Sequence, residues 1–321
     1  MNTATQTYSR EAALRVADAA LTSKGRSFHW ARRLLGSVHA DRATRLYGIC
    51  RHIDDLADEA DAPDQAQQAL TAFSQDLRCG VSNDPVVMDA LALLQECQID
   101  PEILQELVNG VSSDLSLVRI RDEDALIRYC YQVAGTVGLM MCGVLEVKNS
   151  EAYAHAIDLG IAMQMTNVCR DVKEDAQNNR RYLPEAHVGD LEPDALIVPD
   201  QNVLNKARSS IVRLLALASV YYRSGENGLA YLPPGARSAI LVASRVYGGI
   251  GTELGKCGHD CWSQRAKVST FGKARISARA LLIGAFTPSL WRPLHAHSSQ
   301  LHRALIGLPG ITQTLQQARD V

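Results

Sequence analysis

Two acidic stretches carry the residue types and spacings that could do chemistry in this chain. Residues 51–64 read RHIDDLADEADAPD, in which Asp54 and Asp58 are four positions apart. Side chains at that spacing share one face of an α-helix, so the two carboxylates point the same way. Their repulsion is worth roughly 0.2–0.5 kcal/mol, and a bound cation would remove it. Taken alone, this stretch is also typical of a helix end that merely faces water.

A second stretch, QMTNVCRDVKEDAQNNRRYLP over residues 164–184, repeats the arrangement. Asp171 and Asp175 are four positions apart, and Asn167 and Gln164 continue the same face. Mg²⁺ prefers oxygen ligands and is often shared between one or two carboxylates and a substrate phosphate, so two such pairs predict a magnesium site for a diphosphate. Mn²⁺ could replace it. Arginines that could contact phosphate oxygens accompany both stretches: Arg51, Arg170, Arg180 and Arg181.

The apolar pattern predicts the elements that must position these side chains. Apolar residues recur at helical spacing, so the fold class that we expect is all-α. The clearest segments are residues 12–21, 43–56, 86–94, 103–111 and 211–220. Breakers at residues 62–63, 83–85, 100–101 and 233–235 mark helix boundaries. With no internal repeat or composition shift, we expect one large helical domain over residues 1–321.

Two further expectations concern the C-terminal segment and a pair of cysteines. The segment from about residue 287 to residue 321 reads as an irregular tail, and its histidines, His295, His297 and His302, are expected to be solvated. Cys257 and Cys261 have no second Cys or His pair at a zinc-site spacing, so a role in packing is favoured over metal binding.

Composition excludes several classes of function. The formal net charge is −2, so no basic surface for nucleic acid is expected. No apolar run of about 18 residues or more is present and the first residues lack an apolar signal core, so we expect a cytoplasmic protein. The eight cysteines are scattered through helical segments, which is typical of reduced thiols.

A glycine-containing segment lies between the acidic stretches. Residues 129–145 read YCYQVAGTVGLMMCGVL, and Gly135, Gly138 and Gly143 each cost a helix up to about 1 kcal/mol. Such residues either allow two helices to pack closely or leave room for a long hydrocarbon ligand. Both interpretations stay open at this stage.

The chain resembles the phytoene and squalene synthase family, the head-to-head isoprenoid synthases. The resemblance runs through residues 23–28, 47–58, 129–138, 159–184 and 265–273, and so covers most of the chain. It implies an isoprenoid synthase fold with a central cavity. It also identifies the metal-binding residues, with Gln164 as support, as Asp54, Asp58, Asn167, Asp171 and Asp175.

The same resemblance implies further roles. Tyr129 and Tyr247 resemble the tyrosines near the reacting carbons, and Tyr47 is also assigned to catalysis. Residues that bind the substrate diphosphates are Arg26, Ser27, Arg51, Gln164, Asn167, Arg170, Arg265 and Lys273. Gly25 and Arg26 depart from the family's usual Ser and Lys: Gly25 offers no hydroxyl to a phosphate, and Arg26 keeps the positive charge on a planar guanidinium.

The implied reaction joins two geranylgeranyl diphosphates head to head in a Mg²⁺-dependent reaction. A cyclopropylcarbinyl diphosphate, prephytoene diphosphate, forms first, and a second ionisation followed by proton loss gives phytoene for carotenoid biosynthesis. No NADPH is expected, and peripheral contact with a membrane is one route by which the product could leave.

Three alternatives remain. A C30 dehydrosqualene or squalene-type synthase would use farnesyl diphosphate. Asp54-Asp55-Leu56-Ala57-Asp58 also satisfies the D-D-x-x-D pattern of head-to-tail prenyltransferases, although the second stretch lacks the adjacent aspartate. A non-catalytic helical assembly factor of the same fold is the third, and the presence of all four aspartates argues against it.

Overall fold

The computed structural model describes residues 10–24, 32, 34–60 and 62–311. The first half contains α1 (Arg10–Lys24), α2 (Ser37–Asp58), α3 (Pro63–Cys79), α4 (Pro85–Glu96), α5 (Pro101–Ser113) and α6 (Glu123–Cys130). A π-helical turn, Tyr131–Gly135, joins α6 to α7 (Thr136–Val144). Then follow α8 (Glu151–Arg170) and α9 (Val172–Gln177).

Two short helices, α10 (Glu185–Val188) and α11 (Asp194–Ile197), lead into the second half. Its long helices are α12 (Gln201–Asn227), α13 (Pro234–Lys256) and α14 (Thr270–Ala285), with 3₁₀ turns at Gly228–Tyr231, Pro288–Leu290 and Ser299–Leu305. Within the described residues no β-strand occurs, only an isolated bridge between Arg119 and Arg181. The all-α prediction is confirmed, and all five apolar segments lie inside helices.

Local sequence explains where the helices begin. Pro63, Pro85, Pro101 and Pro234 each occupy a first helical position, where the missing N–H costs nothing. Asp84 and Asp100 precede two of them and cap the free backbone N–H groups with their carboxylates. The breakers predicted from sequence are therefore helix starts.

Helix α8 lies at the centre of the molecule and packs against α6, α7, α12 and α13. One face is fully buried through residues such as Ile157, Ile161 and Met165. Among the described residues, no helix combines the length and the apolar character needed to cross a membrane.

The expectation that all three histidines after residue 287 are solvated is wrong for two of them. His295 is exposed, as predicted, but His302 is 1% exposed and the side chain of His297 is 13% exposed. Both rings contact Asp158 of α8, because the segment folds back across the helices instead of extending into solvent.

Candidate functional site

The first acidic pair lies on the last two turns of α2. Asp54 is half-buried, and Asp58 is exposed at the end of the helix. The pKa of Asp54 is raised to about 7, mainly by burial; Arg51 lowers it and Asp58 raises it. The Nε of Arg51 donates to Asp55 Oδ1 at 2.7 Å. Arg51 is thus engaged by Asp55, while Asp54 retains a like-charged neighbour on its own helix.

The second acidic stretch crosses from α8 into α9. Asp171 lies between the two helices; its amide donates to the carbonyl of Asn167 at 2.9 Å, and its carbonyl accepts from the amide of Asp175 at 2.8 Å. These are the i to i−4 hydrogen bonds of an α-helix, so residues four apart still lie on one face across the junction between α8 and α9. The sequence pattern placed both aspartates inside one helix, and the structure places Asp171 at a helix junction.

The two aspartates of this stretch have opposite electrostatic environments. Burial would raise the pKa of Asp171, but hydrogen bonds from Arg170 and Arg265 outweigh it and lower the pKa below its ordinary value. The pKa of Asp175 is raised to about 8, first by burial and then by the charge of Asp171, while Arg180 opposes the rise. One carboxylate is therefore neutralised by arginines, and the other is short of positive charge.

Arg180 connects the two acidic stretches. Its amide donates to the carbonyl of Asp175 at 2.9 Å, and its guanidinium lies 3.9 Å from Asp58 Oδ1 on α2. Its Nε also donates to the carbonyl of Asp114 at 3.2 Å. The carboxyl-terminal end of α2 and the α8–α9 junction therefore meet at one place.

Two tyrosines hold the side chain of Asp114 at this meeting point. Tyr182 donates to Oδ1 at 2.6 Å, Tyr129 donates to Oδ2 at 2.9 Å, and the two rings stack with centroids 4.7 Å apart. Burial raises the pKa of Asp114 above its ordinary value, although both hydroxyls and Arg180 oppose the rise. Tyr129, predicted from sequence, therefore positions a further carboxylate.

The remaining predicted residues are placed as follows. Tyr47 is half-buried on α2, two turns before Asp54. Tyr247 on α13 has its pKa raised, first by burial; Arg170 lowers it and Asp171 raises it, which places this tyrosine beside the α8–α9 junction. Lys273 is half-buried in the first turn of α14. The predictions for Arg26 and Ser27 lie outside the described residues.

The expectation that Arg181 could contact phosphate oxygens is wrong. Its side chain is 1% exposed, and Nη1 donates to the carbonyls of Leu183 at 2.8 Å and Ile120 at 3.1 Å. Its guanidinium thus holds the chain before α10 against the segment before α6. Arg181 is a structural residue, and Arg180 is the basic residue of this pair that reaches the aspartates.

The residues at the meeting point fit a magnesium ion by their chemistry. Oδ1 of Asn167 is buried and has no hydrogen-bond partner, while its Nδ2 donates to Gln164 Oε1 at 3.2 Å. Asp54 and Asp175, with their raised pKa values, also favour a nearby cation. Mg²⁺ prefers such oxygen ligands and keeps several waters, so it needs few direct protein ligands.

The aspartates are spaced too widely to surround one ion by themselves. Among the His, Cys, Asp and Glu side chains of the described residues, three ligand atoms approach within 4.8 Å of one another only in a separate cluster, Asp158, His297 and His302. The carboxylates at the meeting point therefore suit ions that are shared with a phosphate-bearing ligand.

A small cavity opens at this point. Its volume is about 170 Å³, and it is lined by Asp54, Asp58, Asp114, Tyr129, Gln164 and Arg180, among others. A larger groove, of about 1240 Å³, lies between α12, α13 and α14 and touches α8 at Thr166; none of the four aspartates lines it. The small cavity is below the usual range of about 300–1,000 Å³ for ligand pockets, so it suits a polar head group alone.

Two half-buried helix faces lead away from the small cavity. On α8 the half-buried positions step back from Gln164 through Gly160 and Ala156 to Tyr153. On the π-helical turn and α7, which pack against α8, the half-buried apolar residues include Val133, Val137 and Met141. These faces are mainly apolar and are polar at the carboxylate end, so they could hold an apolar chain attached to an anionic head group.

The glycines of this region serve close packing. A Cβ at Gly138 would lie 2.2 Å from the carbonyl oxygen of Ala156, and one at Gly160 would lie 2.2 Å from that of Ala134. Backbone atoms cannot move aside as a flexible side chain can, so the helices reach this separation only with glycine at both positions. For Gly138 the structure thus supports the packing interpretation.

Sequence reasoning missed two residues of the site, Asp114 and Tyr182. Asp114 follows α5 without an acidic partner at helical spacing, so its only local signal was a lone charge after an apolar helix. Tyr182 lay inside the quoted second stretch, but nothing in the pattern indicated that it points toward Asp114.

The sequence of the chain is similar to the sequences of known proteins. The family model described as squalene/phytoene synthase matches residues 21–272. The 15-cis-phytoene synthase of Enterobacter agglomerans is 34% identical over 278 residues, which cover 81% of this chain and 90% of that protein. The 15-cis-phytoene synthase of Paracoccus sp. (strain N81106 / MBIC 01143) is 33% identical over 298 residues, covering 86% and 97% of the two chains.

A solved structure agrees in fold. A dehydrosqualene synthase in complex with a ligand superposes with a TM-score of 0.73 at 24% identity, covering 87% of this chain and 98% of that one. At this identity the likeness concerns the fold alone.

Proposed function

Because the chain belongs to the squalene/phytoene synthase family, we propose that it condenses two molecules of geranylgeranyl diphosphate head to head to give phytoene. The observation that carries the proposal is the meeting of the two acidic stretches, joined by Arg180 and Asp114, at the polar end of two apolar helix faces. Such a site suits two long apolar substrates whose charged groups lie together. The phytoene synthases among the relatives favour the C20 substrate.

The diphosphates are the groups that the polar end would bind. Mg²⁺, held by Asp54, Asp58, Asn167, Asp171 and Asp175, would neutralise phosphate charge and so help a diphosphate to leave. Mn²⁺ has the same preference for oxygen ligands.

The arginines would take part when substrate arrives. Arg170 and Arg265 both contact Asp171, and Arg265 is more than half exposed, so its guanidinium can turn toward a phosphate without breaking a buried contact. An arginine that moves from a carboxylate to a phosphate keeps paired, charge-assisted hydrogen bonds. Arg51 would exchange Asp55 for phosphate in the same way.

Carbon chemistry would take place along the apolar faces. Loss of the first diphosphate leaves an allylic cation, which the double bond of the second substrate attacks. Loss of one proton from the resulting cation closes the cyclopropane ring of the cyclopropylcarbinyl diphosphate. Loss of the second diphosphate, rearrangement and loss of one proton then give phytoene. Val133, Val137 and the half-buried face of α8 would keep water from these cations. Tyr129 stays protonated because burial raises its pKa, so it cannot supply an anion that would trap them.

A membrane is the partner that we propose for product release. On α14, Arg275, Arg279 and Leu282 are exposed at helical spacing on one side of the helix, and the exposed Phe286 and Trp291 follow its end. Basic and large apolar side chains on one face are typical of helices that lie on a lipid surface. Co-sedimentation with anionic vesicles tests this contact, and equal recovery of Phe286→Ser with the vesicles would contradict it.

Incubation of the purified protein with each prenyl diphosphate tests the reaction. We expect phytoene from geranylgeranyl diphosphate with Mg²⁺, no product after chelation, and no change on addition of NADPH. A hydrocarbon that forms only with NADPH would identify the squalene-type reaction instead. A higher kcat/KM for farnesyl diphosphate with a C30 product would change the substrate and keep the reaction class.

Absence of both turnover and binding of Mg²⁺ or prenyl diphosphate would favour a non-catalytic assembly factor. A linear head-to-tail product would identify the prenyltransferase alternative.

A further inference from the structure

A second cluster of ligand side chains lies on the opposite side of α8 from the carboxylate site. Asp158 is fully buried; His297 Nε2 lies 2.8 Å from its Oδ2, and His302 Nε2 lies 2.9 Å from its Oδ1. Asp158 and Asn167 are nine residues apart, which on an α-helix is about 13.5 Å and two and a half turns. The cluster is therefore separate from the carboxylate site.

The three ligand atoms are close enough for one ion. They lie within 4.8 Å of one another, and the rings of His297 and His302 have centroids 4.3 Å apart. Asp158 and His302 are buried, whereas His297 reaches the surface and offers a path for entry.

One hydrogen-bonding atom of the cluster has no partner. Nδ1 of His302 is buried and has no hydrogen-bond partner. Buried polar atoms are nearly always paired, and this nitrogen is the exception in the cluster; the ion would bind the other nitrogen of the ring, Nε2. His155 presents its ring to the edge of His297, with centroids 5.2 Å apart. Burial lowers the pKa of His155, so this neighbour adds no positive charge that would repel a cation.

We propose that Asp158, His297 and His302 bind a divalent transition-metal ion, Zn²⁺ above all, that fastens the segment after α14 to α8. Two imidazoles and one carboxylate are ligands that Zn²⁺ accepts, with a water in the fourth position. Mg²⁺ prefers oxygen ligands throughout, so the two sites select different ions.

The ion would add to contacts that already hold this segment, whose Leu305, Leu308 and Ile311 are buried in the core. The hydroxyl of Tyr221 donates to the carbonyl of Leu301 at 2.8 Å, and Arg128 donates to that of Ala304 at 2.7 Å. A metal bond from His297 and His302 to Asp158 adds a crosslink between α8 and this segment. The proposal does not depend on the reaction that the carboxylate site performs.

The affinity that we expect is moderate. An imidazole that binds metal through Nε2 carries its hydrogen on Nδ1, and this hydrogen usually donates to a fixed acceptor. His302 has no protein acceptor at that atom. Loss of such a partner weakens metal binding by about 10- to 100-fold, so the site should release its ion to a strong chelator.

Binding of Co²⁺ to the metal-free protein tests the proposal, because Co²⁺ reports its ligands in the visible spectrum. We expect one Co²⁺ per chain with ligand-field bands and without the charge-transfer band of a thiolate, and displacement of Co²⁺ by Zn²⁺. Saturating Zn²⁺ should raise the Tm by about 3 °C or more.

His297→Ala should weaken Co²⁺ binding at least 10-fold and abolish the Zn²⁺-dependent rise in Tm. His295→Ala is the matched control, because this exposed histidine lies in the same segment outside the cluster, and it should bind like the native chain. Asp158→Asn should also lose the ion; if circular dichroism shows that it does not fold, His297→Ala decides alone. No Co²⁺ or Zn²⁺ binding by the native chain, or equal binding by His297→Ala, would overturn the proposal.

Discussion

Tyr182 donates a hydrogen bond of 2.6 Å from its hydroxyl to Oδ1 of Asp114, a residue 68 positions earlier in the chain. Tyr129 occupies the other carboxylate oxygen, and Arg180 contacts the carbonyl of Asp114. Asp114 is therefore held beside the two acidic stretches by Tyr129 of α6 and by Tyr182 and Arg180 of the second stretch. This arrangement makes the relative position of the stretches sensitive to single hydroxyl groups.

Tyr182→Phe tests that arrangement. The change removes a hydrogen bond to a buried carboxylate, so the free energy of unfolding should fall by roughly 1–3 kcal/mol and the pKa of Asp114 should rise further. Turnover should fall as well, because Arg180 loses its fixed neighbour. Urea unfolding and steady-state kinetics measure the two effects. Tyr231→Phe is the control, since its hydroxyl contacts the exposed Glu151; an equal loss in both variants would contradict the special role of Asp114.

Asp54→Asn and Asp171→Asn should change stability in opposite directions. Like-charge repulsion alone predicts a gain at both positions, but Asp171 accepts hydrogen bonds from Arg170 and Arg265. Without Mg²⁺ at about pH 8, Asp54→Asn should raise the free energy of unfolding by about 1–3 kcal/mol, and Asp171→Asn should lower it by about 1–2 kcal/mol. Both should abolish turnover. Urea unfolding measures the signs, and a gain in both variants would disprove the arginine contacts.

The stability of the metal-free protein should fall as pH rises. Asp54 and Asp175 have folded-state pKa values of about 7 and about 8, above the ordinary value of about 3.9. Between about pH 4 and about pH 8 the folded chain therefore binds more protons than the unfolded chain, and unfolding becomes easier with increasing pH.

Magnesium should reverse that trend, because it binds the ionised carboxylates and releases their protons. The Tm with EDTA and with Mg²⁺, at about pH 5.5 and about pH 8.5, measures both effects. We expect Mg²⁺ to raise the Tm at the higher pH and to have little effect at the lower one. A Mg²⁺ effect of the same size at both values would count against the raised pKa values.

Gly160→Ala should destabilise the contact between the π-helical turn and α8. The added Cβ would lie 2.2 Å from the carbonyl oxygen of Ala134, so the helices must separate, at a cost of about 1–3 kcal/mol. Gly248→Ala on α13 is the matched control, because its Cβ would meet nothing closer than 3.8 Å and should stabilise the helix by about 0.5–1 kcal/mol. Thermal unfolding distinguishes the two signs. A loss in both variants would mean that the helix contact is not responsible.

The predictions that depended on neighbouring positions agree with the structure. The helical segments follow from the repeat of the α-helix, which relates residues three and four apart, and the helix boundaries follow from the breakers. The roles predicted for Asp54 and Asp58 in metal binding stay predictions, because they concern a bound ion.

The sequence by itself thus determined the elements and the spacing of charges along each of them, because local backbone geometry depends on local residues. Only the tertiary structure decided which distant residues meet. Asp114 lies beside Tyr182 and Arg180, Arg181 is buried against backbone carbonyls, and Asp158 receives two histidines from 139 and 144 positions away. Such contacts arise when helices pack and exclude water from particular faces. The spacing of residues along one helix does not indicate which of its faces another helix will cover.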